Sequence, residues 1–129
     1  RTINDPGECH TLLTIFLPTK EIADKVCGDL GTKTIFHSGW HVYNNMEQIL
    51  EKKQLTAGPP FRSKEFPTDV EYTKGMLPQT DRLLERAINI SIGVVDPGLG
   101  AGFGVNPMST DAEIDEKADK IIETVGKYV

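Results

Sequence analysis

Apolar and polar positions alternate along the chain in a way that predicts a strand, a helix and a second strand near its start. Residues 9–17 are almost continuously apolar, which predicts a central strand covered on both faces. Apolar side chains then recur at helical spacing over residues 22–30, with Thr19 placed to cap the helix and Gly31 placed to end it. Residues 32–37 have strand-forming side chains and predict the second strand.

The middle of the chain changes character after one further helix. Residues 40–53 have apolar positions at helical spacing and predict a helix. Residues 54–78 are rich in proline and glycine and show no period. This stretch exceeds the roughly 12–15 residues usual for a structureless loop. We expect a long loop that forms a lid or a binding surface, or that packs on protein outside this chain.

The last third predicts a helix, a strand and a longer helix. Residues 80–87 predict a short helix with Thr80 at its cap. Residues 88–95 alternate apolar and polar side chains, which is the clearest strand pattern in the chain. Thr110 and Glu113 have the spacing of a capping box, which opens the final amphipathic helix.

Composition supports one folded domain spanning residues 1–129. The hydrophobic share is 38% and the charged share 26%, as in globular proteins. With the element order above, this predicts an α+β fold: a small, mainly antiparallel sheet with helices packed on it. The net charge of −5 and the lack of a basic run argue against nucleic-acid binding.

Other features of the composition bear on location. No apolar stretch approaches the roughly 20 residues that span a bilayer, so we expect no membrane insertion. The first residues lack a signal-peptide pattern, and because they also lack an initiator Met we expect the N-terminus to be a cut and not a beginning. The only two cysteines, Cys9 and Cys27, do not form a disulfide framework. A reduced, cytoplasmic setting is therefore expected.

Two local clusters invite a phosphate or a metal site. Residues 98–104 have glycine at every second position, which fits neither a P-loop nor a dinucleotide fingerprint, and a turn or thin strand is favoured. A metal site is a further hypothesis, with Cys9, His10, His37 and His41 as its ligands. The spacing between these residues matches no known metal-binding motif.

The stretch 36–45 has the densest chemistry. It contains His37, Trp40, His41 and Tyr43, which combine a flat apolar ring with orientable hydrogen-bonding groups. That mixture suits a polyol or a sugar. The alternative is that Trp40 fills the core and His41 caps a helix. Composition alone favours neither interpretation over the other.

The order of the motifs resembles a known family. CHTLLTIFLP, TKEIADKVCGDLG, TKTIFH, GWHVYNN and LPQTDRLLERAINISIGV follow one another, and STDAEID opens the last helix. This is similar to the C-terminal small domain of the DegT/StrS family of pyridoxal-phosphate (PLP) sugar aminotransferases. Pro78, Asp81 and Leu83 match the family's P-x-x-[DE]-x-[LI] helix, and Gly93 stands where the following strand usually has a proline.

The resemblance implies a small domain of a fold-type I aminotransferase. A large domain of the same protein would bind PLP on a lysine, and the homodimeric enzyme would move an amino group from glutamate or glutamine to a keto sugar, nucleotide-linked or free. No catalytic, cofactor-binding or metal-binding residue carries over to this chain. The expected substrate-binding residues are His37, Trp40, His41 and Tyr43. Two other hypotheses remain: a free-standing module that binds a small ligand, and a metal-dependent protein.

Overall fold

In the described residues, two antiparallel strands and four α-helices form the regular structure, which confirms an α+β fold with a small antiparallel sheet. The computed structural model describes residues 12–39, 42–55, 58, 61, 69–91, 105–106 and 108–129. The elements are β1 (Leu12–Phe16), α1 (Lys20–Leu30), α2 (Glu47–Leu50), α3 (Pro78–Leu84), β2 (Ala87–Ser91) and α4 (Asp111–Gly126), with 3-10 turns at Ile35–His37 and Tyr43–Asn45. Within these ranges, no helix has the length and apolar character needed to cross a bilayer.

The core lies between one face of the sheet and helices α1 and α4. Strand β1 runs antiparallel to β2, with Leu13 opposite Ile90 and Ile15 opposite Ile88. Because side chains alternate along a strand, these four share one face. The buried cluster on that face comprises Leu17, Ala23, Val26, Cys27, Leu30, Ile88 and Ile90, and α4 adds Ile121, Val125 and Tyr128 at its margin.

Helix α1 forms as its sequence predicts. The Thr19 hydroxyl accepts the N–H of Ile22 at 3.3 Å, and Gly31 takes the left-handed conformation at φ 66° that ends the helix. The predicted apolar stripe is buried in the core, where Val26 and Leu30 each contribute about 1.5–3 kcal/mol.

Helix α4 begins at the predicted capping box. The Thr110 hydroxyl accepts the Glu113 N–H, and the Glu113 carboxylate accepts the Thr110 N–H at 2.7 Å. The sequence predicts an apolar stripe on this helix, formed by Ile114, Ala118, Ile121, Ile122 and Val125. This prediction is only partly right. Ile121 and Val125 pack on the core, but Ile122 is 69% exposed, and Thr124 is buried in its place.

The prediction of a doubly covered strand at residues 9–17 is wrong for its described part. In that part β1 hydrogen-bonds to β2 alone, and Leu13 and Phe16 are 45% and 60% exposed. A continuous apolar run is typical of a covered strand, but it does not say whether the covering element belongs to the same chain.

Two further predictions, both made for the part of the chain between α1 and α3, are wrong. The strand predicted at residues 32–37 shrinks to a single bridge between Thr34 and Ile88, followed by the 3-10 turn. The helix predicted at 40–53 is replaced, in its described part, by a 3-10 turn and the one-turn α2. Asn45 donates its amide to the Gly39 carbonyl at 2.9 Å, which favours a turn over a helix.

The cap of helix α3 lies three residues earlier than predicted. Pro78 is its first residue and Leu77 caps it without a side-chain hydrogen bond, so Thr80 is not the cap. Proline suits the first helical position because its fixed φ is already helical and the N–H there needs no partner.

Strand β2 (Ala87–Ser91) coincides with the first part of the strand predicted at 88–95. Residues 92–95, the glycine cluster 98–104 and much of the loop 54–78 lie outside the described residues.

Candidate functional site

A polar cavity of about 560 Å³ opens beside the C-terminal half of α1. One wall comes from the helix and the other from the segment that leads into the 3-10 turn at Ile35–His37. Its lining residues are Asp24, Cys27, Gly28, Thr32, Lys33, Thr34 and His37.

Backbone hydrogen bonds hold the second wall in place. The Thr32 N–H donates to the Cys27 carbonyl at 2.9 Å, directly after the left-handed Gly31. Thr34 then bridges to Ile88 of β2, and the His37 N–H donates to the Thr34 carbonyl at 3.0 Å. The cavity is thus built from a helix end, a strand bridge and a tight turn, which positions His37 at its rim.

The lining chemistry suits a ligand with several hydroxyl groups. Asp24 offers a carboxylate, Lys33 an ammonium and His37 an imidazole, so hydrogen-bond donors and acceptors are both present. The Thr32 hydroxyl is the one buried side-chain polar atom without a partner in the described part of the chain. An unmet buried hydroxyl costs about 1–3 kcal/mol, and a ligand hydroxyl that reached it would recover part of that cost.

Cys27 lines the cavity but is not equipped to act as a nucleophile. Burial and, to a smaller extent, the nearby Asp24 carboxylate raise the pKa of its thiol to about 11. The thiolate is the reactive and metal-binding form, so the protonated thiol at neutral pH is a core side chain.

A hydrogen-bonded network centred on Asp81 fixes the turn that follows the cavity. The Asp81 carboxylate accepts the Tyr43 hydroxyl at 3.0 Å and the Asn44 amide at 2.9 Å. The Tyr43 oxygen accepts the Leu77 N–H at 3.0 Å, and the Asn44 side-chain oxygen accepts the Gly75 N–H at 2.8 Å. The turn at residues 43–45 is thereby joined to the start of α3.

The four residues predicted to bind substrate have different placements. His37 is exposed at the cavity rim, with its ring edge-on to Phe36. The Tyr43 hydroxyl is engaged by two partners and Tyr43 is not among the cavity residues, so the structure gives it a positioning role. Trp40 and His41 lie outside the described residues, and their roles stay predictions.

Sequence reasoning missed Thr32, Lys33 and Asp81. The first two were assigned to a strand, where alternate side chains face opposite ways, so no cavity was expected. Asp81 had a signal, because it is the acidic residue of the P-x-x-[DE]-x-[LI] motif. Its partners lie 37 and 38 residues earlier, which no local pattern reveals.

The metal hypothesis gains no support from the described residues, where no group of three or more His, Cys, Asp or Glu side chains could hold an ion. Of the four residues proposed for it, His37 alone is described.

The lysines of the described residues have the exposure and the charge partners of surface side chains. No described lysine is buried. Asp24 raises the pKa of Lys20, and the Glu47 and Glu51 carboxylates raise that of Lys53 to about 12. A lysine that condenses with an aldehyde must lose its proton, which calls for a lowered pKa.

No family model, characterised protein or solved structure matches the chain. Functional inference therefore depends on the motifs of the sequence and on the geometry of the two sites above.

Proposed function

We propose that this chain is the C-terminal small domain of a PLP-dependent sugar aminotransferase of the DegT/StrS type. The complete enzyme, a homodimer, would transfer an amino group from glutamate or glutamine to a keto sugar. Because the described lysines do not fit a cofactor site, the proposal assigns PLP to a large domain of the same protein. This chain binds and orients the substrate.

The observation that carries the proposal is the position of the motif acid. Pro78 begins α3, and Asp81 holds Tyr43 and Asn44 through two hydrogen bonds. The helix that most resembles the family thus anchors the segment that the resemblance assigns to the substrate side. This contact joins two motifs that were recognised independently in the sequence.

The cavity beside α1 supplies suitable chemistry for a sugar. The imidazole of His37 and the ammonium of Lys33 can donate to sugar oxygens, while Asp24 can accept from hydroxyl groups. The raised pKa of Cys27 leaves the thiol of this cavity protonated at neutral pH, so it lacks the thiolate that covalent chemistry needs. Binding and orientation are therefore its expected contributions.

The exposed face of β1 supports attachment to a larger protein. Leu12 and Phe16 share the face that points away from the core and are 39% and 60% exposed. Large apolar side chains grouped on a surface commonly mark a protein contact.

An assay of the complete protein tests the proposal. Purified protein with PLP, glutamate or glutamine and a panel of keto sugars should yield an amino sugar. His37→Ala should raise KM with little loss of bound cofactor, whereas Lys120→Gln, on the exposed side of α4, should change neither. An absence of amino-group transfer with every keto sugar would contradict the proposal.

A free-standing ligand-binding module is the second candidate, favoured by a cavity whose described lining comes from this chain alone. Isothermal titration of the 129-residue chain with monosaccharides separates the two. Tight binding by the chain alone, with no transfer activity in the complete protein, would favour the module.

A further inference from the structure

A second cavity, of about 570 Å³, lies between the first residue of α1 and the C-terminal half of α3. Its lining surface is mainly apolar, and most of the charged side chains on it are positive. The lining residues are Lys20, Gln79, Arg82, Leu83, Glu85 and Arg86. Three of them are cationic and one is anionic, so the cavity has an excess of positive charge in an acidic protein.

The two arginines are oriented but not neutralised. The Nε of Arg82 donates to the Pro78 carbonyl at 3.1 Å, and an Nη of Arg86 donates to the Pro18 carbonyl at 3.2 Å. Each bond occupies one N–H and fixes the plane of the guanidinium. Neither arginine pairs with a carboxylate within the described ranges, so their other N–H groups remain able to bind an anion.

Two carboxylates nearby set a lower limit on the charge of a ligand. Lys20 pairs with Asp24, but both side chains are more than 40% exposed, and such exposed pairs are weak and easily rearranged. Glu85 lies close enough to favour the protonated form of Lys20. A singly charged ligand would gain little against these two carboxylates, whereas a multiply charged oxyanion would engage both guanidinium groups and the ammonium.

We propose that this cavity binds the phosphate or diphosphate group of a small molecule. Planar guanidinium groups match the oxygens of such anions, and an ammonium adds a point charge. Leu83, 47% exposed at the wall, provides an apolar surface for the uncharged part of the ligand. The site is separate from the cavity at His37, and the inference does not depend on amino-group transfer.

Calorimetric titration of the 129-residue chain with inorganic pyrophosphate tests the site. We expect one binding event per chain, with phosphate weaker and the dicarboxylate glutarate weaker still. Arg82→Gln and Lys20→Gln should each weaken pyrophosphate binding about tenfold. Glu85→Gln should strengthen it, because a negative charge leaves the cavity. Circular dichroism of each variant confirms that the fold is retained.

Lys120→Gln is the matched control, since it removes one positive charge from an exposed position on α4 outside the cavity. It should leave the affinity within about twofold of the original. Arg82→Lys keeps the charge but loses the planar guanidinium with its paired N–H donors. Its affinity for pyrophosphate should lie between those of the original protein and Arg82→Gln. The inference is overturned if pyrophosphate does not saturate, if Lys120→Gln weakens binding as much as Lys20→Gln, or if glutarate binds as tightly as pyrophosphate. None of these results alters the transfer assay, which judges the proposed function on its own.

Discussion

At the scale of single residues, Asp81 makes the most consequential contacts outside the core. Both of its carboxylate oxygens accept hydrogen bonds from the turn at residues 43–45. Its acidic identity was visible in a motif, but its role depends on contacts across the fold. A half-buried carboxylate that satisfies two side-chain donors stabilises a turn that has little apolar burial of its own.

Asp81→Asn should lower the free energy of unfolding by about 1–3 kcal/mol, because one acceptor oxygen becomes an amide that faces a donor. Denaturant titration measures the loss. Asp119→Asn, on the exposed side of α4, makes the same chemical change and should stay within about 0.5 kcal/mol of the original. An equal loss in the free energy of unfolding for the two variants would contradict a special role for Asp81.

Tyr43→Phe separates positioning from substrate contact. The change removes a hydroxyl that donates to Asp81 and accepts from Leu77, so stability should fall by about 1–2 kcal/mol. Tyr72→Phe is the control, since no partner of its hydroxyl occurs among the described residues. If Tyr43→Phe leaves stability unchanged but raises KM in the complete protein, its hydroxyl contacts substrate instead.

Cys27 should react slowly in the folded protein. A pKa raised from 9.0 to about 11 lowers the thiolate fraction near neutral pH about hundredfold. Alkylation by iodoacetamide, followed in a Cys9→Ser background, should therefore be about hundredfold faster in denaturant. Because the folded pKa is the higher one, this thiol favours the fold fully below about pH 9, and its contribution is lost as pH rises towards 11. Equal alkylation rates would show an accessible thiolate.

At the scale of elements, the sequence predicted a helix correctly where the groups that determine it lie close together along the chain. Helices α1 and α4 formed where predicted because their caps, Thr19 and Thr110, lie three residues from the N–H groups they bind. The strand predicted at 32–37 keeps only its bridge to the distant Ile88, and the helix predicted at 40–53 is interrupted where Asn44 donates to the distant Asp81. Local propensity cannot register such contacts.

Thr110 and Thr80 give a direct test of cap assignment. Thr110→Ala should cost about 0.5–2 kcal/mol, because an N–H of the first turn of α4 loses its acceptor. Thr80→Ala should be neutral or slightly stabilising, since Thr80 lies inside α3 and alanine has the higher helix propensity. Thermal unfolding of the two variants measures both. A larger loss at Thr80 than at Thr110 would contradict the structure.

At the scale of the whole molecule, the fold class was predictable and the site only in part. Periodicity and composition gave an α+β chain with an antiparallel sheet, because these depend on local patterns. His37 was found from the density of polar and aromatic groups around it. Thr32 and Lys33 were not, because the cavity exists only where α1, the Thr34 bridge and the 3-10 turn meet.

Cofactor binding is the most direct test of the central claim. The 129-residue chain and the complete protein encoded by its reading frame are each mixed with PLP and freed of unbound cofactor, and the visible absorbance is measured. We expect one bound cofactor per chain of the complete protein, with an absorbance band that the amino donor removes. We expect none on the 129-residue chain alone, whose described lysines are unburied. Stoichiometric retention on a lysine of the chain alone, or none on the complete protein, would contradict the claim.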